Sequence, residues 1–254
     1  MTNSSSPRLK DQVALITGGG TGIGRATAVL FAGEGADVIV NYSRSQTEAE
    51  ETVKLVENLG RRAIAVQANV GDDAQVQSMF AEAQSKFGKL DILVNSAATT
   101  HMVPYTDLDG MDDQKWDDIF NVNVKGLFYC MRAAVRIMRD QSSQGQIINV
   151  SSISGITGQG SSLAYAASKA AVINMTRGMA KSEAPGIRIN AVAPGVVETR
   201  WIAGWEKFTD PHKSITPLGR HAQPEDVAMT IFGLAINPFI TGQTITIDGG
   251  RTLA

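Results

Sequence analysis

Short apolar runs alternate with longer amphipathic stretches along the whole chain. The apolar runs predict strands at residues 13–17, 37–41, 63–68, 90–94, 146–150, 186–192 and 243–248. The amphipathic stretches predict helices at residues 25–34, 47–59, 73–87, 113–139, 164–179 and 224–235. Regular alternation of strand and helix predicts an α/β fold: one doubly wound domain with a seven-stranded parallel sheet and helices on both faces.

A glycine-rich turn at residues 18–24 joins the first predicted strand to a helix. Glycines let the backbone approach a pyrophosphate closely, and the N-terminus of a helix presents oriented N–H groups to its oxygens. A strand, a glycine turn and a helix in this order predict a Rossmann-type dinucleotide site. The predicted contacts in the turn are Gly18, Thr21, Gly22, Ile23 and Gly24.

The end of the second predicted strand indicates which dinucleotide is bound. Proteins that prefer NAD place a carboxylate there to hold the ribose 2′-hydroxyl. This chain has Tyr42, Ser43 and Arg44 instead. Because a hydroxyl and a guanidinium suit a 2′-phosphate, NADP(H) is favoured, and NAD(H) stays open.

Tyr165 and Lys169 stand four residues apart in the predicted helix at 164–179, so they share one helical face. A nearby ammonium and the positive end of the helix dipole both favour a phenolate, so we expect a lowered tyrosine pKa. Such a tyrosine can exchange a proton with an alcohol or a carbonyl. Ser152, at the end of the preceding strand, can bring a hydroxyl to the same oxygen.

The glycine turn, the Tyr165–Lys169 pair and an asparagine between them together resemble the short-chain dehydrogenase/reductase family. The resemblance extends over about residues 9–250, with its motifs in the family's order. It implies that the catalytic residues are Asn123, Ser152, Tyr165 and Lys169. Asn123 is implied because Gly126 completes the family's Asn-x-x-Gly pattern, and its backbone is then expected to hold a water that connects the lysine to solvent.

The same resemblance implies further contacts with the cofactor, including Tyr165 and Lys169 themselves. Asn69 and Val70 stand where the family contacts adenine. Asn95 and Ala97 match the family's Asn-Asn-Ala-Gly motif, whereas Ser96 and Ala98 depart from it. Contacts to the nicotinamide are implied for Pro194, Gly195, Val197 and Thr199.

A substrate lid is implied at about residues 199–215, and the loop at residues 99–110 is expected to reach the substrate. Trp201, Ile202, Trp205 and Phe208 give the lid an apolar face, which favours apolar or aromatic carbonyl substrates over sugars, although this spacing is also typical of a core helix. His101 is interpreted as a loop residue, not a catalytic base. No metal site is predicted, because the histidines lack zinc-ligand spacing.

Composition narrows the possible partners and location. The 254 residues include 23 basic and 25 acidic side chains, which argues against nucleic-acid and membrane-surface binding. The single cysteine, and a Ser-rich start without the apolar core of a signal peptide, favour the cytoplasm. We expect residues 1–8 to form a flexible tail and residues 9–254 to form the single domain.

The sequence therefore predicts an NADP(H)-dependent oxidoreductase that interconverts a ketone or 3-oxoacyl carbonyl and a secondary alcohol. Within the family, the chain looks most like 3-oxoacyl-[acyl-carrier-protein] reductases, and the family implies a homotetramer acting on a small molecule. A sugar or other alcohol dehydrogenase of the same family stays open. So does a catalytically silent dinucleotide-binding sensor or scaffold, because a fold alone does not prove activity.

Overall fold

The computed structural model describes residues 7–141 and 144–253, without the side chains of Glu206 and Phe208. Residues 1–6, most of the predicted tail, and the Phe208 side chain of the predicted lid face lie outside this description. The limits of the tail and the domain stay predictions. In the described part of the chain, no helix is both long enough and apolar enough to cross a bilayer.

The observed elements follow the predicted order closely. The strands are β1 Val13–Thr17, β2 Asp37–Tyr42, β3 Ala63–Gln67, β4 Ile92–Asn95, β5 Gly145–Val150, β6 Ile187–Pro194 and β7 Thr244–Ile247. The helices are α1 Gly22–Gly33, α2 Gln46–Asn58, α3 Asp73–Phe87, α4 Asp113–Phe120, α5 Leu127–Arg139, α6 Ser154–Thr157, α7 Leu163–Glu183, α8 Glu206–Thr209, α9 Pro211–Ser214 and α10 Pro224–Ile236. A π-helical segment, Asn121–Gly126, joins α4 to α5, and 3₁₀ turns lie at Arg200–Ile202 and Arg251–Leu253.

All seven strands pair in parallel, in the order β3-β2-β1-β4-β5-β6-β7. The predicted doubly wound α/β fold is therefore confirmed. The chain reverses its winding direction between β1 and β4. The loops that follow these two strands separate at that point, which leaves a crevice at the carboxyl edge of the sheet.

Two apolar cores fix the sheet between its helices. One face packs against α3, α5 and α7, and the other packs against α1, α2 and α10. Phe31 of α1 meets Phe232 of α10 edge to face, with ring centres 6.4 Å apart. Cys130 is fully buried in the first core, where burial raises the pKa of its thiol, so it is a packing residue.

The predicted helix at residues 113–139 differs from the observed structure, because the π-helical segment interrupts it. A Cβ at Gly126 would lie 2.8 Å from the carbonyl oxygen of Val70, so the segment passes very close to the loop after β3. The extra residue of a π turn re-aims the side chains around it, and such turns often occur at functional sites. The apolar spacing of the sequence carries no signal for this local change.

Gly24 provides a test of how tightly the glycine turn packs. A Cβ at Gly24 would overlap the carbonyl oxygen of Gly18, whereas a Cβ at Gly33, in the same helix, would meet no atom within 4 Å. We expect Gly24→Ala to lower the free energy of unfolding by about 1–3 kcal/mol. Gly33→Ala should stabilise the protein by up to about 1 kcal/mol, because alanine favours helix. Urea unfolding measures both, and equal midpoints for the two variants would contradict the packing described.

Candidate active site

A cavity of about 1680 Å³ lies along the carboxyl edge of the sheet. The turn after β1, the end of β2, the loops after β3 to β6 and the segment at 199–215 all contribute to its wall. The predicted site residues that line it are Gly18, Thr21, Ile23, Tyr42, Ser43, Arg44, Asn69, Val70, Ala97, Ser152, Tyr165, Lys169, Pro194, Gly195, Val197 and Thr199. Gly22, Gly24, Asn95 and Asn123 lie behind this lining, and each is accounted for below.

The turn between β1 and α1 has the form of an anion cradle. Thr21 stands at the N-cap of α1, but its side chain makes no capping hydrogen bond. The first N–H groups of α1 are therefore available to donate hydrogen bonds to an anionic oxygen, which suits a pyrophosphate. Gly22 has a positive φ of 52°, a conformation that favours glycine, and Gly24 lets the turn close against Gly18. These two glycines shape the cradle from behind.

Buried polar side chains hold the cradle in place. The Thr17 hydroxyl accepts hydrogen bonds from the backbone N–H groups of Ser96 (3.0 Å) and Ala97 (3.1 Å), which brings the loop after β4 onto the glycine turn. Asn41 accepts a hydrogen bond from the Gly18 N–H at 3.3 Å and donates to the Ala68 carbonyl at 3.0 Å. Sequence reasoning missed Asn41, although a polar residue inside an apolar strand was an available signal.

Tyr42, Ser43 and Arg44 lie together at the end of β2, and Ser43 and Arg44 are exposed. Asn69 faces the same end of the cavity, where its side-chain oxygen accepts a hydrogen bond from the Gly71 N–H at 3.0 Å. This end combines a phenol, a hydroxyl, a guanidinium and an amide, which suits an adenosine and its phosphate.

Arg200 connects this end to the predicted lid and was also missed. Its guanidinium donates to Glu48 Oε1 at 2.7 Å and to Ser45 Oγ at 2.6 Å, both at the start of α2. The bonds join two segments separated by more than 150 residues. No local pattern in the sequence could have indicated that pairing.

Ser152, Tyr165 and Lys169 lie together at the end of β5 and the start of α7. The hydroxyl of Ser162 caps α7 by accepting from the Tyr165 N–H at 3.2 Å. Lys169 is only 3% exposed, and its ammonium donates to the Val150 carbonyl at 2.9 Å. The Lys169 Nζ lies 5.6 Å from the centre of the Tyr165 ring. The carboxyl end of β5 thus holds the Lys169 side chain directly, and Ser152 follows that same end.

Loss of hydration is the main cause of the pKa shifts of Tyr165 and Lys169. It raises the pKa of Tyr165 to about 12, although the Ser152 hydroxyl acts in the opposite direction. Burial also lowers the pKa of Lys169 to about 8. The expected lowering of the tyrosine pKa is wrong for this structure, because the loss of hydration of the phenolate outweighs the hydrogen bond from Ser152. Tyr165 is therefore a neutral phenol that carries a proton at physiological pH.

Asn123 is buried in the π-helical segment and connects two walls of the cavity. Its side chain accepts from the Thr99 N–H at 2.8 Å and donates to the Thr99 carbonyl at 3.0 Å. It also donates to Ser168 Oγ of α7 at 3.1 Å. The predicted role of its backbone in holding a water stays a prediction. Its side chain has a positioning role that the sequence did not indicate.

Asn95 lies in the core beneath the cavity and is 3% exposed. Its amide donates to Asn149 Oδ1 at 2.9 Å, and the Asn149 amide donates to Thr176 Oγ1 at 3.0 Å. This chain of hydrogen bonds joins β4, β5 and α7 at the floor of the site. Its direct contact with a cofactor stays a prediction, and the geometry supports an indirect role.

The segment at 199–215 forms short turns over the other end of the cavity. Trp201, Ile202 and Trp205 line it, and the Trp201 ring centre lies 6.3 Å from that of Tyr165. The segment is held near its middle by His221, a buried residue whose Nε2 donates to the Thr209 carbonyl at 3.0 Å.

His101 lines the facing wall, where its Nε2 lies 3.1 Å from Asp118 Oδ2. Among the described residues its side-chain partner is this carboxylate, and its interpretation as a loop residue stays a prediction. Among residues 7–141 and 144–253, no three His, Cys, Asp or Glu side chains form a group that could hold a metal ion.

The lowered pKa of Lys169 predicts a pH dependence of stability. Between pH 7.5 and 9.5 the unfolded chain keeps the lysine proton, since the ordinary pKa is 10.5, while the folded chain releases it. Stability should therefore rise with pH by roughly 1–2 kcal/mol in the wild type, and this rise should be absent in Lys169→Met. Urea unfolding at both pH values checks the difference. The same pH slope in both proteins would contradict the burial of a titrating ammonium.

Comparison with known proteins agrees with this geometry. A protein-family model described as "Enoyl-(Acyl carrier protein) reductase" matches residues 18–252. A 3-oxoacyl-[acyl-carrier-protein] reductase of Synechocystis is 40% identical over 249 residues, which cover 96% of this chain and 98% of that protein. The corresponding protein of Thermotoga maritima is 42% identical, covering 97% of this chain and 100% of its own length.

Solved structures of other proteins match the fold of this chain over nearly its whole length. A short-chain dehydrogenase of Burkholderia cenocepacia, in complex with NADP, superimposes with a TM-score of 0.89 at 35% identity, covering 96% of this chain and 99% of its own. Levodione reductase superimposes with a TM-score of 0.90 at 31% identity, covering 97% and 99%. With the cradle, the Ser-Tyr-Lys group and near full-length similarity in agreement, this chain belongs to the short-chain dehydrogenase/reductase family of oxidoreductases.

Proposed function

We propose that this protein is an NADP(H)-dependent reductase that converts a ketone or 3-oxoacyl carbonyl to a secondary alcohol, or catalyses the reverse reaction. One observation carries the proposal. A single cavity contains an uncapped helix N-terminus at one place and a half-buried, proton-bearing Tyr165 beside Ser152 and Lys169 at another. An anionic cofactor and a carbonyl group can therefore be held side by side.

The residues of the cavity fit a nicotinamide dinucleotide. The N–H groups of α1 would hold the pyrophosphate, Asn69 and Val70 would contact the adenine, and the segment from Pro194 to Thr199 would contact the nicotinamide. The bound cofactor supplies the hydride. The protein supplies orientation and the proton.

Ser152, Tyr165 and Lys169 have different roles when the carbonyl oxygen of the substrate is protonated. The Ser152 hydroxyl donates a hydrogen bond to that oxygen and orients it. Tyr165 transfers its phenolic proton to the same oxygen while the carbon accepts the hydride, so the carbonyl gains one hydride and one proton. The Lys169 ammonium lies next to the resulting phenolate and stabilises it. In the direction of reduction the neutral phenol is the proton donor, and in the reverse direction the phenolate accepts the proton.

The choice of NADP(H) rests on the end of β2 and on a relative. Ser43 and Arg44 line the cavity where a 2′-phosphate would lie, and no carboxylate stands at the end of β2 to select a free ribose hydroxyl. The Burkholderia cenocepacia structure is a complex with NADP.

The substrate class is proposed from the lid wall and from the relatives. Trp201, Ile202 and Trp205 favour an apolar group next to the reacting carbonyl. The relatives from Synechocystis and Thermotoga maritima are named 3-oxoacyl-[acyl-carrier-protein] reductases. A 3-oxoacyl group satisfies both observations.

We also propose a cytoplasmic homotetramer, as the family resemblance implies. Exposed apolar side chains on α5, α7, α10 and β7 support an assembly, since these elements otherwise leave them in water. These side chains are Phe128, Leu163, Met229 and Ile245.

Removal of the Tyr165 hydroxyl tests the proton-transfer step. Tyr165→Phe should lower the turnover number at least about a hundredfold while leaving NADPH affinity near normal, because only the proton donor is lost. Absorbance of the reduced nicotinamide measures turnover, and fluorescence titration measures affinity.

Tyr129→Phe is the matched control, since Tyr129 is not among the residues that line the cavity. Undiminished turnover in Tyr165→Phe would remove Tyr165 from the mechanism. Binding of both cofactors by the wild type, without consumption of either, would instead favour a dinucleotide-binding sensor.

Arg44→Ala tests the cofactor preference. Loss of a charge-assisted hydrogen bond to the 2′-phosphate should reduce the NADPH-over-NADH ratio of kcat/KM by about 10–100-fold. Lys54→Ala removes an exposed cation from α2, outside the cavity, and should leave the ratio unchanged. An unchanged ratio in Arg44→Ala would show that Arg44 does not contact the phosphate.

A further inference from the structure

Arg251 lies at the opposite end of the cavity from Arg44. It begins the 3₁₀ turn Arg251–Leu253, directly after β7. β7 is the outermost strand on one side of the sheet, and β2 is the second strand from the other side. Arg251 and Arg44 therefore lie near opposite ends of the row formed by the carboxyl ends of the strands. Both line the same cavity. Arg251 is therefore remote from the adenosine end and lies beside the lid.

The Arg251 guanidinium is partly buried and lacks a matching acceptor. Its Nη1 atom is buried without a hydrogen-bond partner among the described residues. The carboxylate closest in sequence, that of Asp248, is engaged by backbone N–H groups, from Gly250 at 2.9 Å and from Thr252 at 2.8 Å. A buried guanidinium nitrogen without an acceptor is unfavourable, so this group is ready to accept an anionic partner.

The other ionisable groups of this wall do not neutralise Arg251. His212 of α9 lines the cavity near it, and burial together with the charge of Arg251 lowers the pKa of that histidine. Asp118, a carboxylate of the described lining, is hydrogen-bonded to His101 at 3.1 Å and to Gln114 at 2.8 Å. Among the described residues, no carboxylate forms an ion pair with Arg251, so its positive charge faces the substrate end of the cavity unpaired.

We propose that Arg251 binds a carboxylate group of the substrate and so selects oxo-carboxylates over neutral ketones. A planar guanidinium presents paired N–H donors that match the two oxygens of a carboxylate. This inference rests on the proposed reductase function and narrows its substrate class from ketones in general to free oxo-acids, in place of a 3-oxoacyl thioester, which has no carboxylate. The reacting carbonyl lies at Tyr165, the apolar body of the substrate lies against Trp201 and Trp205, and the carboxylate lies at Arg251.

Matched pairs of acid and ester test the proposal. NADPH-dependent reduction is measured for 4-acetylbenzoate against its methyl ester, and for oxo-carboxylates of increasing chain length against theirs. For at least one pair, the wild type should favour the acid in kcat/KM by about tenfold or more. Arg251→Met should lose that preference, and Arg251→Lys should keep part of it. Arg136→Met is the control, since Arg136 is an exposed residue of α5 outside the cavity, and it should keep the full preference.

A second measurement separates this proposal from the reductase function. Calorimetry compares the binding of benzoate with that of neutral benzamide, which needs no turnover. Benzoate should bind the wild type about tenfold more tightly than benzamide, and Arg251→Met should abolish the difference. Equal binding of the two ligands, or a preference for benzoate that survives in Arg251→Met, would overturn the proposal. If no ketone is reduced, the proposed function fails, while the benzoate comparison still decides the role of Arg251.

Discussion

The hydrogen bond from the buried Lys169 ammonium to the Val150 carbonyl is the contact on which the site depends. It joins the first turns of α7 to the carboxyl end of β5, so Tyr165 is held over the edge of the sheet beside Ser152. Burial of this charge is unfavourable, which is reflected in the lowered lysine pKa. The fold tolerates that cost because the packing of α7 against the sheet is extensive and because the carbonyl accepts the bond.

The parallel sheet brings the other residues of the proposed site to the same cavity as Tyr165 and Lys169. Each strand ends at one edge, so residues distant in sequence, such as Thr21 and Thr199, line one cavity. Behind that lining, buried amides fix the distances between elements. Asn95 and Asn149 join β4 to β5, and Asn123 joins the loop after β4 to α7. A short side chain in place of any of these amides would leave buried donors or acceptors without partners.

Much of this arrangement could be predicted from the sequence, for physical reasons. The strand and helix periodicities determined the fold class, and the glycine turn marked the cradle at residues 18–24. The Tyr165–Lys169 spacing marked the acid–base pair. The ionisation of Tyr165 could not be predicted, because it depends on how much water the folded chain removes from the phenol. The π-helical segment was missed because the close approach of Gly126 to the Val70 carbonyl, which accompanies it, joins distant parts of the chain. Arg200 and His221 were missed for the same reason, since each acts through partners that only the fold brings near. Arg251 was missed because only the fold places it at the cavity.

The most direct test of this account is a crystal structure of the protein with NADP⁺ and a ketone, a pair that cannot react with each other. The account predicts that the ketone oxygen lies about 2.6–3.2 Å from both Ser152 Oγ and the Tyr165 hydroxyl, with the pyrophosphate at the N-terminus of α1. A ketone oxygen bound elsewhere in the cavity, for example at His101, would contradict it.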